Sequence, residues 1–92
     1  MVKMEHIVKR KGKKEKFDVK KIYGSAYAAC LNCHVKEKEC ERTADKISKS
    51  IKKWVGSKKI VSSEQIFKQV VKELKKYNKD AAFMYETHRD IS

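Results

Sequence analysis

Apolar residues recur at three- and four-residue steps through most of the chain after Asp18, and that period restricts the chain to amphipathic helices. Val19, Ile22, Tyr23, Ala26, Cys30 and Cys33 form one stripe, which predicts a first helix from Val19 to Leu31 or Cys33. Asn32 to Lys36 reads as a connector. Cys40, Ala44, Ile47, Ile51, Trp54 and Val55 carry a second helix from Glu37 to Trp54, ended by Gly56-Ser57. Ile60-Val61 suits a brief strand. Ser62 with Gln65 three residues on forms a capping box for a third helix, Ser63 to Lys76, with Ile66, Phe67, Val70, Val71 and Leu74 facing inward. Asn78 ends it, and Asp80 opens a fourth helix through His88 or beyond. Gly24 interrupts the first stripe and suggests close approach of another element.

Ahead of these helices stands H-I-V-K-R-K-G-K-K-E-K-F-D-V-K-K-I, His6 to Ile22. His6 to Arg10 is β-prone, and Gly12 can take the positive φ of a tight turn. Lys14 to Phe17 is a second extended run, and Asp18 is a good N-cap. Two antiparallel strands loaded with cations would thus stand beside a helix N-terminus, whose N–H groups and dipole attract anions. A polyphosphate could sit between Lys9, Arg10 and Lys21. Lys9 and Arg10 are adjacent on a strand and point to opposite faces, so one ligand touching both must wrap the hairpin rim. The competing reading is an edge strand kept from aggregating by its lysines.

Ninety-two residues make one domain with a limited core, here residues 1–92. A hydrophobic share of 40% supports folding despite 39% charged residues. The net charge of +12 points to polyanions, whether nucleotides, nucleic acid or an acidic membrane surface, unless it is only a solvated lysine-rich surface. No apolar run reaches membrane length and no secretory leader opens the chain, so a cytoplasmic protein without membrane contact is expected. Three cysteines fit a reducing compartment.

Cys30-Leu31-Asn32-Cys33-His34 spells the haem-attachment pattern, and Cys30, Cys33, His34 and Cys40 offer four zinc donors. Cys30, Cys33 and Cys40 also lie on or near the apolar stripes, where a thiol acts as a small hydrophobe, and that reading is preferred; no metal site is assigned. No phosphate-binding loop, zinc-protease helix or nucleophile elbow is present, and His6, His34 and His88 are dispersed, so no enzymatic activity is expected. The lysines around Trp54 and along the third helix could form a general polyanion surface. Trp54 continues the core stripe, however, the helix-three lysines lie mostly opposite the apolar face, and no base-reading set accompanies them.

The order V-K-R-x-G-x-x-E-x-F-D-x-x-K-I, carried by Val8, Lys9, Arg10, Gly12, Glu15, Phe17, Asp18, Lys21 and Ile22, resembles the signature of the ATP-cone domain. That module senses nucleotides at the N-terminus of many ribonucleotide reductases and in the repressors of their genes. Ile60 to Ile66 resembles the family's strand-to-helix segment, and Ala82 to Arg89 its closing motif, so the likeness runs from about Glu5 to Asp90. The resemblance implies an α+β fold, a four-helix bundle capped by a small three-stranded mixed sheet that begins with an N-terminal hairpin. It implies ATP or dATP, with Mg²⁺, bound between bundle and sheet. Lys9, Arg10 and Lys21 would touch phosphates, Glu15, Phe17, Asp18 and Ile22 would frame the adenine, Val8 would add apolar contact, and Ser63 and Arg89 would approach from the third and fourth helices. A regulatory module of this kind signals by self-association or by docking to a separate protein such as a ribonucleotide reductase. The rival reading is a small basic nucleic-acid-binding protein or transcriptional regulator. Neither a reductase barrel nor a repressor's zinc ribbon is present in these 92 residues.

Overall fold

The computed structural model describes residues 7–10, 13–58 and 60–88. Three strands and four helices occur among them in the order β1 (Ile7–Arg10), β2 (Lys13–Lys16), α1 (Val19–Asn32), α2 (Glu37–Gly56), β3 (Ile60–Ser62), α3 (Ser63–Tyr77) and α4 (Lys79–His88). His6, Lys11 and Gly12 of the expected hairpin, and the chain beyond His88, lie outside the described residues.

Three of the four helices start where a side chain offers a first-turn N–H group a partner; α2, preceded by Lys36, has no side-chain cap. Asp18 is extended, and its carboxylate accepts from Lys20 N–H at 3.0 Å, which opens α1. Ser62 accepts from Gln65 N–H at 3.1 Å while Gln65 Oε1 accepts from Ser62 N–H at 3.0 Å, a reciprocal capping box for α3. Asn78 serves two helices. Its N–H donates to Leu74 C=O at 2.8 Å, closing α3, and its side-chain oxygen accepts from Ala81 N–H at 3.0 Å, opening α4. The fourth helix therefore begins at Lys79, one residue before Asp80.

The second helix ends at Gly56-Ser57 as expected, though without a left-handed glycine. Gly56 is the last residue of α2 and its neighbour Ser57 caps the helix with φ −83°. At the end of α1 the left-handed residue is His34, φ 62°. His34 N–H donates to Leu31 C=O at 3.1 Å and Val35 N–H to Cys30 C=O at 3.3 Å, the paired bonds of a Schellman motif. A side chain at positive φ costs about 1–2 kcal/mol that glycine avoids, partly offset because glycine has more freedom to lose. His34→Gly should therefore raise stability by about 0.5–1 kcal/mol and the melting temperature by roughly 2–8 °C. An unchanged melt would mean that His34 has a compensating contact.

The core is assembled almost entirely from helix stripes. Ile22, Ala26 and Cys30 of α1 share one cluster with Cys40, Ala44, Ile47, Ile51 and Val55 of α2, the helix pair with the largest interface, and Ile66, Val70, Val71 and Leu74 of α3 with Ala81 and Ala82 of α4 join it. Val61 of β3 is the one strand residue in that core among the described side chains. A Cβ built on Gly24 meets nothing within 4 Å, so this glycine admits no close neighbour.

The strands pair in the order β2-β1-β3, antiparallel between β1 and β2 and parallel between β1 and β3. The expected α+β design, with a mixed sheet capping the bundle, is nevertheless corrected. The described domain is predominantly helical, its strands are only three or four residues long, and they pack substantially on α3 alone rather than across the end of all four helices. The cause lies in composition. β2 reads K-K-E-K and has no apolar residue to bury, while Ile60 of β3 is half exposed, so the small sheet offers the bundle little apolar surface.

Burial sets a pH dependence. Cys30 lies in the core beside Cys40, and burial first, then neighbouring thiols, push its pKa from 9.0 up to about 11. The unfolded chain releases this proton near pH 9 and the folded chain holds it, so the stability it contributes is present below pH 9.0 and is lost as pH rises through about 11. The stability advantage of the wild type over Cys30→Ala should shrink across that window, a comparison that cancels the titrating lysines. An advantage that stays constant from about pH 8 to about pH 11 would contradict this. Burial likewise raises Tyr85, from 10.0 to about 12.

Candidate nucleotide site

The cation-rich hairpin gains its surroundings from strand register. In the parallel pair Lys9 lies opposite Ser62, and in the antiparallel pair it lies opposite Lys14. Because β3 passes directly into α3, the N-terminus of that helix stands beside the Lys9 position. Asp18 and α1 follow from the other end of β1, where Lys16 pairs with Ile7. Ile7 and Lys9 are two residues apart, roughly 7 Å along a strand. Two helix N-termini, each the positive end of its dipole, thus flank a short strand that carries Lys9 and Arg10.

The expected residues divide by position. Lys21 is exposed in the first turn of α1 and forms no ion pair among the described residues. Ser63 is the first residue of α3 and is half-buried; since Ser62 supplies the cap, the Ser63 hydroxyl has no hydrogen bond among the described residues. Asp18 is exposed but its carboxylate already holds the cap bond to Lys20. Phe17 is half-buried against the core, and Ile22, only 8% exposed, is part of it. Val8, Lys9 and Arg10 stand on β1 and Glu15 on β2, with Val8 opposite both Glu15 and Val61. Arg89 lies outside the described residues.

The cysteine motif dissolves into structure. Cys30 and Cys40 are buried, Cys33 is half-buried, and all three are free thiols. Burial raises the pKa of each. Cys40 Sγ donates to Val35 C=O at 3.4 Å, and His34 occupies the left-handed cap. No group of three metal-ligating side chains converges among the described residues. Trp54 is half-buried, with the Lys58 ammonium 5.1 Å from its ring centre.

A family model for the ATP cone domain matches residues 5–91, nearly the whole chain. The chain belongs to the ATP-cone family. The cone is also 36% identical over 89 residues to the transcriptional repressor NrdR of Thermosipho melanesiensis, a match that covers 92% of the cone and 58% of the relative. The cone thus spans little more than half the length of that repressor. No solved structure matches it. No helix among the described residues is long and apolar enough to cross a membrane.

Sequence reading missed one feature of the surface. Phe67, Lys68, Val71, Lys72 and Lys75 of α3 and Glu86 of α4 line an open groove of about 360 Å³. Only the packing of α3 on α4 joins these residues, and helical periodicity alone assigns the lysines to a solvated face.

Proposed function

We propose that the cone is a non-catalytic regulatory module that binds ATP or dATP, as the Mg²⁺ complex, where β1 meets the N-termini of α1 and α3. The observation that carries this reading is the parallel register of Lys9 with Ser62. It supports a phosphate site in which the Lys9 position stands beside the start of α3, with its dipole and the unused Ser63 hydroxyl. Arg10 and Lys21 would complete the grip on the phosphates, and Arg89 would close it from beyond α4. Val8, Glu15, Phe17, Asp18 and Ile22 would frame the adenine; Ile22 and Phe17 would do so chiefly by fixing the floor, since both pack on the core. Nucleotide state would pass to a second copy or to a separate cytoplasmic protein in the control of ribonucleotide reductase.

A second reading has its own support: the net charge of +12 and a relative named as a transcriptional repressor favour contact with nucleic acid. Calorimetry with ATP, dATP and GTP in the presence and absence of Mg²⁺, alongside duplex DNA at two salt concentrations, separates them. Saturable, adenine-selective binding is expected. Indifference to the base, with duplex affinity that falls steeply in salt, would replace this proposal with the second.

A further inference from the structure

The groove between α3 and α4 uses none of the residues assigned to nucleotide. Its floor is apolar, formed by Val71 and by Phe67, whose ring stacks on Tyr85 with centroids 5.4 Å apart. Its cations, Lys68, Lys72 and Lys75, are exposed and form no ion pair among the described residues. They recur at four- and three-residue steps on one side of α3, so they repel one another, each such pair costing about 0.2–0.5 kcal/mol in the free domain. Other lysines are engaged: Lys49 pairs with Asp45 at 3.0 Å, Lys76 with Glu73 at 3.5 Å, and the Lys46 ammonium lies 5.8 Å from the Tyr77 ring centre. From α4 the groove receives one carboxylate, Glu86. Phe83, three residues earlier and hence on the same side of α4, is 67% exposed.

From this arrangement we infer that the α3–α4 groove is a docking site for an acidic amphipathic helix of a partner protein. An apolar stripe on that helix covers Phe67, Val71 and Phe83, and its flanking carboxylates meet Lys68, Lys72 and Lys75. Lys68 to Lys75 spans roughly 10 Å, about two turns of an incoming helix. Bare phosphate backbone would satisfy the lysines and leave the apolar floor and Phe83 uncovered, so the floor selects a protein helix in the helix-in-groove mode. A second copy of this chain carries the same excess of positive charge and is disfavoured as the occupant.

Fluorescence anisotropy of the full chain with a labelled synthetic helix, leucines on one face and glutamates on its flanks, tests the inference. The controls are a peptide of the same composition in scrambled order and a duplex DNA. The ordered helix is expected to bind at least about tenfold more tightly than either control, a difference of about 1.4 kcal/mol. Lys68→Glu with Lys72→Glu should weaken it by about tenfold or more while thermal melting stays intact, and Lys68→Gln with Lys72→Gln should weaken it less. Phe83→Ala should also weaken it. Equal binding of the scrambled peptide or the duplex would reveal a general polyanion surface and overturn the inference. Affinity unmoved by the lysine pairs, or a self-associating chain whose partner copy blocks the groove, would overturn it as well.

Discussion

Lys9→Ala and Lys21→Ala are each expected to weaken ATP binding by about 1.5–3 kcal/mol, roughly ten- to a hundredfold in Kd. The size follows from the loss of a charge-assisted hydrogen bond to phosphate in a site where helix N–H groups already favour the anion. Lys9 owes its part to the register that sets it beside Ser62, and Lys21 to its exposed place in the first turn of α1. Lys21 is exposed, and both substitutions trade a charged side chain for alanine, so circular dichroism should report an unchanged fold. Lys38→Ala, an exposed lysine near the start of α2, is the control and should leave affinity unaltered. Loss of the same size in the control would mean that overall charge governs binding, and unchanged affinity in both test variants would remove the phosphate site.

The largest effect on stability is expected at Ile47. This side chain is fully buried at the middle of α2, the helix that shares the domain's largest interface with α1. Ile47→Ala removes three buried carbons and leaves a cavity, at a cost of about 2–5 kcal/mol. Against a total of about 5–15 kcal/mol for a typical domain, that is a large fraction of the fold's margin. Ile60→Ala, at a strand position 51% exposed, should cost well under about 1 kcal/mol. Urea titration of the two variants checks the contrast, and equal losses would contradict the burial described here.

These contrasts mark what the chain discloses on its own. The caps at Asp18 and Ser62 were readable because donor and acceptor sit two or three residues apart, and the apolar stripes because helical periodicity is equally local. Three features depended on tertiary structure. Pairing of Lys9 with Ser62 joins residues more than fifty positions apart, so no window of sequence contains it. His34 completes a motif that spells metal or haem attachment, yet its backbone conformation makes it a helix terminator. The extent of the sheet was overstated because pairing was legible while the shortage of apolar strand residues, which confines packing largely to α3, only matters once the helices compete for the core. The motif that resembles the family signature lies in the hairpin and the first turn of α1, the segment on which the nucleotide proposal also rests.

The central claim is that strand cations and the start of α3 together hold an adenine nucleotide. Its most direct test is a titration of isotope-labelled protein with Mg²⁺-ATP, followed residue by residue through backbone amide shifts. Saturable shifts are expected, concentrated at Lys9, Arg10, Lys21, Ser62 and Ser63, reproduced by dATP and much weaker with GTP. Amides at these five positions that stay still, or shifts that spread evenly over the lysine-rich helices, would contradict it.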